Sequence, residues 1–254
     1  MKKETFLIFS FVLMLFFSYS AFAQTMDSAA VKPFNDGLDK MQKADYKGAL
    51  SDFEAALKVE KDYRIYYQLA VAEVKLNNLN EAVTYYKSTI QAKPDFEAAY
   101  NDLGNVYFSL GKYQEAIDNF QKVLDTSKDS TLQNAVKFNM SLAYTNLGQG
   151  ADKVKNYKKA IGYLNKAVSY NNYDAAYLFL ARDYFLLNQY DNTIKACQNA
   201  LKYKKTIGEG GPYYYMGVAY SKKNDVKKAK ESLEKAKADP VYKAVAETVL
   251  KSLK

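Results

Sequence analysis

Tyr100-x2-Leu103-Gly104-x2-Tyr107-x2-Leu110-Gly111-x-Tyr113-x2-Ala116-x3-Phe120-x2-Val123 is the clearest copy of a phrase that recurs along this 254-residue chain. Its anchor is a small residue followed one helical turn later by a larger apolar one: Ala49/Phe53, Ala82/Tyr86, Ala116/Phe120, Ala160/Leu164, Thr193/Cys197 and Ala229/Leu233. Successive anchors are 33, 34, 44, 33 and 36 residues apart. A third small or β-branched residue follows three positions on, at Ala56, Thr89, Val123, Ala167, Ala200 and Ala236. Residues at i, i+4 and i+7 share one helical face, so each triplet is a packing stripe, and no segment alternates as a strand would.

Five residues before the anchors stand Ala44, Asn77, Gly111, Asn188 and Asn224. Gly and Asn tolerate the left-handed conformation that ends helices, so these positions read as the breaks between paired helices. The fourth copy has Gly148 as its break, displaced by an insertion over 149–156. Period and stripes together predict an all-α stack of six helical hairpins, with hairpins over 31–62, 63–96, 97–130, 134–173, 174–207 and 210–240. Val241, Val245, Val249 and Leu250 share a face after Pro240, which predicts a capping helix over 241–254.

These residues resemble the tetratricopeptide repeat, a helix-turn-helix unit, across roughly Val31 to Asp239. The second copy keeps Tyr66, Leu69, Ala70, Ala82, Tyr86 and Pro94; the fifth keeps Tyr177, Leu180, Ala181 and Tyr184; the sixth keeps Tyr213, Met216, Gly217 and Tyr220. The resemblance implies a right-handed α-solenoid whose first helices line a concave groove. It places in that groove Tyr67, Val71 and Val74; Asn101, Asn105 and Phe108; Phe138, Leu142 and Thr145; Leu178, Arg182 and Phe185; and Tyr214, Val218 and Ser221, with Asn139 and Tyr215 beside them. Asn side chains match the donors and acceptors of a peptide backbone, and aromatic rings supply contact area at low entropic cost. The competing reading packs these rings between helices. Some family members grip a C-terminal carboxylate through Lys and Asn of the first repeat; here Phe34 and Leu38 stand there, which argues against that mode.

Met1-Lys2-Lys3, the apolar run Phe6–Phe17 and the ending Ala21-Phe22-Ala23 describe a secretory signal peptide over 1–23, followed by a short linker, 24–30. The alternative is an uncleaved anchor. Cleavage predicts an exported protein, with a bacterial periplasm as its natural compartment. Cys197, the sole cysteine, allows no intramolecular disulfide and sits in a packing stripe as a small hydrophobe.

Charge balances from Gln24 to Leu201 at 21 basic and 21 acidic residues, whereas Lys202 to Lys254 holds 13 basic and 6 acidic. Nearly all the excess is Lys, which suits a solvated surface better than bidentate phosphate reading. Nucleic acid is not expected as the partner of an exported protein, although the charge alone permits weak nonspecific binding, and an anionic envelope surface could meet Lys222, Lys223, Lys227 and Lys228. Without any histidine, and with one cysteine, the chain lacks the usual general base and metal-ligand patterns. Gly208-Glu209-Gly210-Gly211 lacks the Lys-Ser/Thr of a phosphate loop and reads as a flexible join between hairpins. No catalytic, cofactor or metal site is expected. The leading expectation is a noncatalytic scaffold binding a peptide segment or partner subunit in the groove; the rivals are a tether using the basic end and a carboxylate-only hydrolase.

Overall fold

The computed structural model describes residues 26–253, so the expected signal peptide and Gln24-Thr25 lie outside the described residues. Those described form thirteen α-helices and no strand. The chain divides at Ala92/Lys93 into two compact units.

The first unit holds α1 (Ser28–Gln42), α2 (Tyr46–Val59), α3 (Tyr63–Lys75) and α4 (Leu79–Ala92), two helical hairpins. Its core is Phe53, Ile65 and Leu69 with Ala30, Ala49 and Ala56, all fully buried, and Met26 and Phe34 at the edge. Asp45 and Asp62 cap their helices by accepting from the backbone N–H of Gly48 and Arg64, satisfying donors that the first turn leaves free.

The second unit holds α5 (Glu97–Ser109), α6 (Tyr113–Thr126), α7 (Ser130–Lys153), α8 (Tyr157–Tyr170), α9 (Asp174–Leu186), α10 (Tyr190–Lys202), α11 (Gly210–Lys222), α12 (Val226–Ala236) and α13 (Lys243–Ser252). These are four hairpins and a closing helix. One local rule builds most hairpins: seven residues before the break, a residue without bulk lets the second helix approach. A Cβ on Gly104 would fall 2.6 Å from the Phe120 ring, and Gly37, Gly148 and Gly217 meet Phe53, Leu164 and Leu233 in the same way. Cys197 occupies the corresponding place in α10, fully buried, with burial pushing its thiol pKa up.

All six breaks adopt one geometry. Ala44, Asn77, Gly111, Lys155, Asn188 and Asn224 have φ between 58° and 73°. In each, the N–H of the following residue bonds a carbonyl five residues back, as Asp45 does to Lys40, Lys112 to Tyr107 and Asn156 to Ala151. Here the sequence expectation for the fourth hairpin needs correction. Gly148 is not a break: α7 runs through it to Lys153, and Lys155 takes the left-handed turn. The 149–156 segment is thus the helix end and turn that every hairpin has. The extra length lies at the start of α7, which has 24 residues where α3, α5, α9 and α11 have 13.

Ala44 and Lys155 carry a Cβ in a conformation that costs L-residues about 1 kcal/mol. Ala44→Gly and Lys155→Gly are each expected to raise stability by about 0.5–1 kcal/mol, and Gly111→Ala to lower it by a similar amount. Urea midpoints of the three variants check this; stabilisation by Gly111→Ala would contradict it.

Two further expectations change. Gly210 and Gly211 are not a flexible join; they form the buried first turn of α11, where a Cβ on Gly210 would overlap Asp239 and one on Gly211 would crowd the Tyr242 hydroxyl and Leu178. The cap faces inward through Ala246, Val249, Leu250 and Leu253, while Val241 and Val245 point to solvent at 79% and 44% exposure. No described helix is long and apolar enough to cross a membrane.

Candidate functional site

Counting back from each left-handed residue places the candidate face on the first helices at the tenth, sixth and third positions before it. In the first unit these are Tyr67, Val71 and Val74, all half-buried. The Tyr67 ring tilts against Tyr86 of α4, with centroids 5.8 Å apart, so it serves packing as well as surface.

In the second unit the stripe starts with Asn101, Asn105 and Phe108 on α5. In α7 the same count gives Thr145, Gln149 and Asp152, and the longer helix carries Leu142 and Phe138 ahead of them. The expected trio Phe138, Leu142 and Thr145 is therefore the upper part of a longer stripe, whose lower part was missed. Counting five residues back from Ala160, as in every other copy, reaches Lys155 and would have found it. On α9 the positions are Leu178, Arg182 and Phe185, and on α11 they are Tyr214, Val218 and Ser221.

The structure joins several of these residues. Asn139 Nδ2 donates to Asn105 Oδ1 at 3.1 Å, linking α7 to α5 across 34 residues of sequence. Asn101 Nδ2 donates to Asp102 Oδ1 at 3.1 Å. These three amides form a polar strip bordered by Phe138, which is 40% exposed and meets Tyr173 edge-on. Phe108 packs edge-on against Tyr113, and Phe185 contacts both Tyr190 and Tyr215. Tyr214 lies against Tyr215 and Tyr242. The rings beyond α7 thus serve inter-helix packing in large part, whereas the amides have little apolar reason to be there.

Arg182 is enclosed by two carboxylates. Its Nη2 lies 2.7 Å from Asp152 Oδ2, an ion pair without hydrogen-bond alignment, and its Nε donates to Asp183 Oδ1 at 3.2 Å. Burial pushes the Asp183 carboxyl up to about 7; Arg182 opposes the shift and Asp152 adds to it. Neither Asp152 nor Asp183 was singled out from sequence.

The four basic candidates lie on α11, α12 and the turn between them, all exposed. Lys223 pairs with Asp191; Lys228 pairs with Asp225 at 3.1 Å and lies over the Tyr220 ring. Half of this patch is therefore neutralised locally. Among the described residues no group of three or more His, Cys, Asp or Glu could hold a metal ion.

Comparison with known proteins agrees with this geometry. The tetratricopeptide repeat pattern matches residues 95–170 and 212–238, and the TPR repeat pattern matches 72–111. The small glutamine-rich tetratricopeptide repeat-containing protein 2 of Saccharomyces cerevisiae is 32% identical over 98 residues, which is 38% of this chain and 28% of that protein. The chain thus spans little more than a quarter of that relative's length. Among solved structures, the MamA protein shares the fold with a TM-score of 0.51 at 21% identity, covering 72% of this chain and all of that one. YrrB, described as a TPR protein with an unusual peptide-binding site, has a TM-score of 0.50 at 23% identity, covering 77% of this chain and 97% of that one. Six hairpins of one geometry, the repeat patterns matched over 72–170 and 212–238 and the shared fold show that this chain is built of tetratricopeptide-type repeats.

Proposed function

We propose that this protein is an exported, noncatalytic scaffold that holds an extended peptide segment or a partner subunit on its first-helix face. The observation that carries the reading is the amide strip of Asn101, Asn105 and Asn139. Side-chain amides present a donor and an acceptor each, the same groups an extended backbone offers. The peptide-binding site named for YrrB supports the same use of this fold. Export rests on the basic start, apolar run and Ala-Phe-Ala ending of residues 1–23. The noncatalytic reading rests on a chain with no histidine and a single, buried cysteine.

A photo-crosslinking residue at Ser109, one turn from Asn105, tests the site in living cells. Captured partners are identified by mass spectrometry, and the intact mass of the protein reports whether it begins at Gln24. Asn101→Ala with Asn105→Ala should lower capture about thirtyfold, since two hydrogen bonds of about 1 kcal/mol each are lost, with little change in melting temperature. Capture should persist at high salt, because the side-chain amides of the strip carry no charge. Unchanged capture by the double variant rejects the amide site. Salt-sensitive capture abolished by Lys222→Glu with Lys227→Glu would move the function to the basic end.

A further inference from the structure

The charges clustered between α7 and α9, with Asp183 buried and Asp152 and Arg182 partly exposed, do not balance. Asp152, in the last turn of α7, and Asp183, in α9, share the single guanidinium of Arg182. Asp183 is fully buried, and its Oδ2 has no hydrogen-bond partner. Two carboxylates around one cation leave one negative charge over, in a place where water does not reach the Asp183 side chain. Such a charge is costly unless it is paired or neutralised by a proton.

Among the described residues, the ion pairs of Asp152 and Asp183 both run to Arg182. Arg182 lies over the Phe179 ring of its own helix. From α11 the neighbouring ionisable group is Tyr215, with Cys197 of α10 near it; Tyr242, just before α13, completes the surround. Burial raises all three, Tyr215 to about 12, so they stay protonated and uncharged through neutral pH. A proton is the remaining means of balance, and Asp183 is the group placed to take it.

We propose that Asp183 is a proton-operated latch between the fourth and fifth hairpins. Protonated, it lets Asp152 and Arg182 pair one to one and joins the two hairpins through a hydrogen bond to Asp152. Ionised, it places an uncompensated charge at the junction and loosens the contact of α9 with α7. The sign follows from its carboxyl lying above the ordinary value near 4. Its contribution to the junction is complete in acid, declines as pH rises from about 4, and is lost above about 7. Arg182 and Asp152 belong to the first-helix stripe, so the latch also changes the charge of that face by one unit. This holds whatever partner binds there.

Amide hydrogen exchange on the full chain at pH 5.5 and 8.5, corrected for intrinsic exchange rates, tests the latch with the wild type, Asp183→Asn and Asp152→Asn. Wild-type protection in α9 should fall by about tenfold or more between the two conditions, and in Asp183→Asn by less than about twofold. Carboxyl-carbon NMR should show Asp183 titrating near neutrality in the wild type, and about one unit or more lower in Asp152→Asn, where the neighbouring negative charge is gone. The proposal fails if Asp183 titrates near 4, or if wild type and Asp183→Asn lose protection equally. The wild-type titration decides the matter alone should either variant not fold.

Discussion

Phe120→Ala is expected to destabilise the second unit by about 3–5 kcal/mol, the largest effect of any single core truncation in the third hairpin. Phe120 is fully buried, and its ring fills the space that Gly104 leaves on α5. Truncation therefore empties both sides of one contact, and neither helix can move in without disturbing its neighbours. The urea midpoint reads the loss. Gly104→Ala alone should also destabilise, because its Cβ would lie 2.6 Å from the ring. In the Phe120→Ala background the same methyl should be neutral or stabilising, since it enters a cavity. A double-mutant cycle separates these outcomes, and strict additivity would show that the two positions do not share one space.

Asp174→Ala should cost roughly 3–5 kcal/mol, for a different reason. The carboxylate is buried and accepts from the backbone N–H groups of Lys205, Thr206 and Ile207, at 2.6, 2.6 and 3.1 Å, and from the Thr206 hydroxyl at 2.7 Å. It pins the segment joining α10 to α11 onto the start of α9. Removing it leaves three N–H donors without their acceptor. Burial pushes this carboxyl up, but the Thr206 hydroxyl and the three N–H groups together pull it down further, to below the ordinary value. Its stabilisation is thus fully present above about pH 4 and is lost as pH falls through the lower folded value. The gap in unfolding free energy between wild type and Asp174→Asn should narrow only below about pH 4. A constant gap down to pH 2 would mean that hydrogen-bond geometry rather than charge carries the effect.

Much of the architecture was legible because it depends on residue type at fixed spacing. Ala116, Phe120 and Val123 occupy one stripe of α6, and all three are fully buried. Asn77, Gly111, Asn188 and Asn224 advertise their left-handed turns through the residues that tolerate them. Lys155 does not, since the turn there is imposed by tertiary packing on a residue with no preference for it. Gly148 therefore reads as the break in the sequence, and Asp152 disappears into a supposed insertion. Asp174 was illegible for another reason: its partners are backbone N–H groups more than 30 residues away, and any residue type could supply them. At the candidate face, Asn105 could be read from spacing, but its bond to Asn139 depends on the added length of α7. Val241 and Val245 looked like core from periodicity alone, whereas α13 settles on the face that carries the small Ala246.

The added length of α7 obeys a constraint of its own. Eleven residues make three turns at 3.67 residues each, close to the natural winding of the helix, and extend it by about 16 Å. Phe138 therefore stands in angular phase with Gln149, and the lengthened helix keeps one continuous line of side chains along the candidate face. Nine added residues would have turned that line to the opposite side. Length at this point is thus quantised by helical phase: the helix can grow or shrink by whole turns while the binding line stays intact, and by other amounts only by rewriting it.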